Sequence, residues 1–108
     1  MSVLIIHPKD PSTNFLIPIY ASISNKTVIH GGIGKNELRE LIRSHDRIII
    51  LGHGTNLGLL SVGQFPDIGS YIIDSSFIEL LSVKKDNIFI WCDADQFVRL
   101  PVSFAESR

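Results

Sequence analysis

Arg47-Ile48-Ile49-Ile50-Leu51-Gly52-His53-Gly54 is the stretch on which the fold turns. Four aliphatic residues follow one another with no polar residue between them. Such a run predicts a strand buried on both faces, as in a parallel sheet. A glycine stops it, and a histidine follows at its carboxyl end. The neighbouring segments repeat this design. Upstream, Lys35 to His45 carries Leu38, Leu41 and Ile42 on one face, with Glu37, Arg39, Glu40 and Arg43 elsewhere, which predicts an amphipathic helix. Val3-Leu4-Ile5-Ile6 and Thr27-Val28-Ile29 predict two short strands, and Asn87-Ile88-Phe89-Ile90-Trp91 predicts the last strong one.

Between these runs lie further elements. Asp10-Pro11-Ser12-Thr13 offers a turn and an N-cap. Phe15, Leu16, Ile19, Tyr20 and Ile23 recur at helical spacing, which predicts a helix with Pro18 near its start, where the missing N–H costs least. Leu57 to Val62 predicts a small hairpin, and Tyr71-Ile72-Ile73 a short extended piece. Asp74 or Ser75 caps a helix bearing Phe77, Ile78, Leu80 and Leu81. After Phe97 no period is evident. Strands alternating with helices predict an α/β fold of three layers (α/β/α), with a mostly parallel sheet of about four strands and right-handed crossovers.

Composition narrows the function. The 108 residues fit one domain spanning 1–108, without repeats or linkers. A net charge of −1, with no basic cluster beyond Lys84-Lys85, gives no footprint for nucleic acid. No apolar run approaches the ~20 residues of a membrane span, and no signal peptide is evident, so a cytoplasmic location is expected. Cys92 is the only cysteine, which excludes an internal disulfide and leaves the usual zinc ligand sets out of reach. No cofactor is expected. The glycine loop fits neither phosphate-binding pattern. Gly34-Lys35 is followed by Asn36, and Glu37 stands where the third glycine of a dinucleotide motif belongs.

Ligands of open parallel sheets bind beyond the carboxyl ends of the strands. Three segments qualify: His30-Gly31-Gly32, Gly52-His53-Gly54 and Cys92-Asp93. If the last two strands are neighbours, His53 can draw the thiol proton of Cys92 to make a thiolate. The Gly54 and Cys92 N–H groups can then bind a developing oxyanion. The competing expectation is a glycine-rich turn and a buried, inert cysteine. Asp93 beside the thiol disfavours the thiolate but can attract a basic side chain of a substrate. His7 and His45 carry no assigned role.

Arg47 to Gly54, together with Asn87 to Cys92, resembles the caspase-like cysteine peptidases, a superfamily that includes caspases, gingipains, legumains and separases. The likeness in strand–His–Gly, hairpin, helix and strand–Cys spans the chain in topology and two short blocks in sequence. It implies His53 as catalytic base, Cys92 as nucleophile, Gly54 as oxyanion donor, and a peptide or protein as substrate. Trp91 stands where the family usually has a small residue, and the family sheet continues past the nucleophile further than Asp93–Arg108 allows. The resemblance therefore implies a truncated, processed or shortened domain, catalytic or inactive.

Two other functions fit the same residues. One is a non-catalytic assembly module. A continuously apolar last strand left without a neighbour invites pairing, so a homodimer, or a partner chain completing the sheet, is expected. The other rests on Asp93-Ala94-Asp95, which resembles the DxD motif of some glycosyltransferases and the aspartyl motif of haloacid-dehalogenase-like phosphatases. Paired carboxylates of this kind can hold Mg²⁺ or Mn²⁺ against phosphates.

Overall fold

The strands begin with Val3–Ile6 (β1) and Lys26–Ile29 (β2), separated by a 3₁₀ helix over Pro11–Ile19. Helix α1 (Lys35–Ser44) leads into β3 (Arg47–Leu51), followed by β4 (Gly54–Thr55), β5 (Gly58–Leu60) and β6 (Tyr71–Ile73). A 3₁₀ turn (Ser75–Phe77) runs into α2 (Ile78–Ser82), then β7 (Ile88–Ile90) and α3 (Ala94–Val98). The computed structural model describes residues 2–63, 65 and 70–99, so the patternless stretch Leu100–Phe104 lies outside the described residues.

Four strands form one parallel sheet in the order β2-β1-β3-β7, and β4, β5 and β6 form a small antiparallel sheet. The register pairs Val3 with Arg47 and Ile6 with Ile50. It places Leu51 opposite Ile90, so that β3 and β7 end together.

The uninterrupted apolar runs have the consequence that patterning predicts. Leu4, Ile5, Ile6 and all of Ile48 to Leu51 have no solvent exposure. Each such side chain stabilises the fold by roughly 1.5–3 kcal/mol relative to exposure. Successive residues alternate between two cores. Leu4, Ile6, Ile48 and Ile50 join Leu38 and Ile42 of α1, Phe77, Leu81 of α2 and Phe97 of α3. Val3, Ile5, Ile49 and Leu51 join Leu16 and Tyr20. β7 is different: Ile88 and Phe89 are half-buried and Ile90 is exposed, because this strand lies at the end of the order β2-β1-β3-β7.

The segment Phe15–Ile23 departs from expectation. Its spacing predicts an α-helix, but Pro11–Ile19 is 3₁₀. Pro18 has no N–H for the carbonyl of Asn14, and its ring would collide there, so an i→i−4 ladder cannot pass through. The tighter winding brings every third residue to the same side. Thr13 and Leu16 are buried, while Phe15 is 75% exposed. Lys26 Nζ closes the segment's end by donating to the Ala21 and Ile23 carbonyls.

The hairpin also falls earlier than Leu57–Val62. Gly54-Thr55 pairs with Gly58–Leu60, turning through Asn56 and Leu57, whose N–H donates to Thr55 Oγ1. Gly58 sets this position. Its φ is +142°, and a Cβ there would stand 1.8 Å from the Ile73 carbonyl oxygen on β6. Downstream, Asp74 caps the next helical segment by accepting from the Ser76 N–H, and it also pairs with Lys35 of α1. No helix among the described residues is long and apolar enough to cross a membrane.

Gly58→Ala therefore has to break the β5–β6 contact. Urea denaturation of the variant is expected to show a loss of at least ~2 kcal/mol, through backbone strain at a φ that side chains reject. An unchanged midpoint would show that the small sheet tolerates a shift of this strand.

Candidate active site

In the order β2-β1-β3-β7, successive connections leave β1 in opposite directions: β2 lies on one side of it and β3 on the other. The reversal falls between the carboxyl ends of β1 and β3, the usual ligand position in open α/β sheets. The β1 end supplies His7, Pro8, Lys9 and Asp10, and the β3 end supplies Gly52 and His53.

His53 is exposed and anchored through one ring nitrogen. Its Nε2 lies 2.7 Å from Ser12 Oγ and 3.3 Å from Asp10 Oδ2. Donor accounting assigns the proton. Ser12 Oγ donates its hydrogen to Asp10 Oδ1 at 2.9 Å, so it can only accept from His53. Nε2 therefore carries the hydrogen, and the neutral ring keeps its lone pair on Nδ1. The hydrogen bonds from Ser12 N–H and Ser12 Oγ, with the nearby imidazole, hold the Asp10 carboxyl below the usual carboxylate range. An ionised Asp10 thus stays beside the ring. Serine and aspartate address the same nitrogen, so Ser12 is not an activated nucleophile of the Ser-His-Asp type, in which the acid takes the opposite nitrogen.

Cys92 is exposed and follows β7 after Trp91. The Trp91 carbonyl accepts from the Ala94 N–H, which makes Cys92 and Asp93 the central pair of a tight turn. Asp93 adopts φ 60°, a left-handed conformation that aspartate tolerates better than most residues. The thiol thus sits at a sharp strand-to-helix corner between β7 and α3.

Trp91, the bulky residue before the thiol, has a defined task. Its indole is buried, meets Phe97 edge-on at 5.4 Å between centroids, and donates through Nε1 to the Thr55 carbonyl at 2.9 Å. It also requires glycine at 54, where a Cβ would lie 2.5 Å from the indole Cδ1. One side chain therefore fastens the His53–Thr55 segment to the corner bearing Cys92. The Leu60 N–H donates to the His53 carbonyl, so Gly54 and Leu59 are a non-hydrogen-bonded pair and the Gly54 N–H points away from β5.

β3 and β7 are adjacent and parallel, which brings His53 and Cys92 to one edge of the sheet. No hydrogen bond joins them among the described residues; the ring is held toward Asp10 and Ser12 instead. Asp93 is exposed beside Cys92, and Asp95 lies on α3. Among the described residues no group of three or more His, Cys, Asp or Glu could hold a metal ion. His30 belongs to another part of the edge, its Nδ1 donating to the His7 carbonyl.

Sequence reasoning missed Asp10, Ser12 and His7. Asp10 and Ser12 read as a turn and cap, which they are, since Asp10 accepts from the Ser12 N–H. Their second task depends on a partner 41 residues away. The available signal was the polar segment directly after a buried strand. His7 is 2% exposed and fully hydrogen-bonded, with Tyr20 hydroxyl at Nδ1 and Thr13 Oγ1 at Nε2. His45 ends α1, with Nδ1 donating to the Leu41 carbonyl.

Comparison of the chain with protein-family models, curated proteins and solved structures finds no match. The site is therefore judged on its geometry.

That geometry predicts a single tautomer. Ring-¹⁵N NMR of the neutral protein is expected to show His53 protonated at Nε2, and a mixture of tautomers in a Ser12→Ala, Asp10→Asn double variant. A wild-type ring already in the Nδ1–H form would contradict the hydrogen-bond assignment.

Proposed function

We propose that the chain is a caspase-like cysteine peptidase domain, three-layered (α/β/α), with its active centre where β3 and β7 end. The observation that carries this reading is the anchoring of His53 by Asp10 and Ser12, which leaves Nδ1 as the base on the edge it shares with the Cys92 corner.

In this mechanism His53 Nδ1 takes the Cys92 thiol proton, and the thiolate attacks the peptide carbonyl carbon. The resulting imidazolium is balanced by the ionised Asp10. The carbonyl oxygen, now an oxyanion, accepts from the Cys92 and Gly54 N–H groups. His53 returns the proton to the leaving amine, and an acyl-enzyme thioester remains. Water, deprotonated by His53, then hydrolyses the thioester and restores the thiol. Asp93 at the corner favours substrates with a basic side chain. A catalytic free thiol suits a reducing compartment, in keeping with a cytoplasmic location.

A second reading is favoured by the sheet edge. Ile90 of β7 is 38% exposed, and Val98 of α3, 41% exposed, lines a cavity of ≈ 180 Å³ together with Phe89 and Phe97. On this reading the domain is an assembly module, with β7 paired to a second copy.

A peptidyl acyloxymethyl ketone with a basic residue at the cleavage position is expected to label Cys92 in the wild type and not in Cys92→Ala. Iodoacetamide should alkylate Cys92 about tenfold more slowly in His53→Ala. Equal alkylation rates with no labelling would remove the peptidase reading. For assembly, light scattering at micromolar concentration should give a dimer, and a strictly monomeric mass would remove that reading.

A further inference from the structure

His7 is the most deeply buried ionisable side chain at this edge of the sheet, and the proposed mechanism does not use it. Its surroundings fix its protonation. Thr13 Oγ1 donates to the Asp10 carbonyl, so it must accept from His7 Nε2–H at 3.0 Å. Nδ1 therefore carries the lone pair and accepts from the Tyr20 hydroxyl at 2.9 Å. Both partners lie on the chain segment that follows β1: Thr13 within the 3₁₀ helix, and Tyr20 directly after it. The same segment begins with Asp10 and Ser12, which hold His53. Two histidines, 7 and 53, are thus joined through one turn. The carbonyl of Asp10 takes both the Thr13 N–H and the Thr13 hydroxyl, and its carboxylate takes Ser12.

We propose that His7 is a positioning residue for His53: its neutral, doubly bonded ring clamps the Asp10–Thr13 turn, and acidification releases Asp10 and Ser12 from the His53 imidazole. This rests on the reading of the His53 edge as the functional site, whose regulation it describes.

The physical reason is that a protonated His7 has two donors and no acceptor. Nδ1–H would face the Tyr20 hydroxyl, which must then turn its own hydrogen into surroundings where Tyr20 is 4% exposed. Among the described residues no carboxylate is hydrogen-bonded to the ring. The facing groups are His30 on the β2 side, with ring centroids 6.1 Å apart, and Tyr20 and Thr13 on the segment after β1. The backbone carbonyl of Asp10 is reached through Thr13, whose hydroxyl donates to it. Lys9, two residues along, is exposed. A second positive charge at His30 would add repulsion. Burial and His30 hold His7 below its ordinary 6.5, against a hydrogen bond with Thr13 that acts upward. Because the folded value is depressed, the unfolded chain binds the extra proton first. The clamp's stabilisation is complete above pH 6.5 and is lost as pH falls from there through the folded value.

Ring-¹⁵N and amide NMR of the full chain, titrated from about pH 8 to pH 5 across the ordinary histidine range, tests this. The expected result is an Nε2–H tautomer for His7 and a midpoint below 6.5. The Ser12 amide and His53 ring signals should move in that same step. Tyr20→Phe leaves the Nδ1 lone pair without a donor, so the shared step should rise by about one pH unit. His7→Gln should abolish the step at Ser12. A His7 step at the ordinary midpoint, or one to which Ser12 and His53 do not respond, overturns the proposal. The wild-type titration alone decides this if a variant fails to fold. The readout needs no catalysis. Failure of Cys92 labelling leaves these signals unaltered, and their absence leaves the labelling unaltered.

Discussion

The burial of β1 and β3 is the constraint on which the rest of the structure depends. From Leu4 to Ile6 and from Ile48 to Leu51 the side chains have no polar alternation and no solvent exposure, so both faces of the sheet must be covered. A chain this short covers them by crossing from one face to the other. The Pro11–Ile19 segment packs against the core of Val3, Ile5, Ile49 and Leu51, while α1, α2 and α3 pack against that of Leu4, Ile6, Ile48 and Ile50. Covering both faces in this way puts β2 and β3 on opposite sides of β1. The polar residues after β1 and β3 therefore meet at one end of the sheet, where a buried core ends and water begins.

At that end of the sheet the energies are small and the geometry matters more. His53 and Asp10 form an exposed pair, which contributes little to folding. What the pair and Ser12 supply is orientation. The carboxylate accepts, the serine relays, and the histidine has one nitrogen left for chemistry. On the opposite side, Trp91 joins the corner bearing Cys92 to the hairpin after His53 through its indole N–H and a glycine that leaves it room. Removing the indole N–H would take one of its hydrogen bonds from the Thr55 carbonyl, at a cost of about 0.5–1.5 kcal/mol. The bulky residue before the thiol, unusual against the caspase-like pattern, therefore has a structural reason in this chain.

Much of the fold was legible in local pattern. The runs at Val3–Ile6, Arg47–Leu51 and Ile88–Ile90 are strands, and Lys35–Ser44 is the amphipathic helix that its charges and apolar positions imply. Asp74 caps as expected. These features depend on residues within a few positions of one another, which is the range that patterning measures. The 3₁₀ winding of Pro11–Ile19 was less legible, because apolar spacing does not register what Pro18 does to the hydrogen-bond ladder. The hairpin register follows the close approach of Gly58 to the Ile73 carbonyl, fifteen residues away in the chain, which leaves no room for a Cβ.

By itself the sequence determined an α/β domain with parallel strands and placed His53 and Cys92 at strand ends, because burial and alternation are local properties of a chain. The tertiary structure decided which strand ends are neighbours and which way each ring faces. It paired β3 with β7, turned His53 toward Asp10 and Ser12, and buried His7 among Thr13, Tyr20 and His30. The physical reason is that a hydrogen bond has direction and needs a partner within about 3 Å. No spacing within the sequence reports a partner that arrives from 41 residues away.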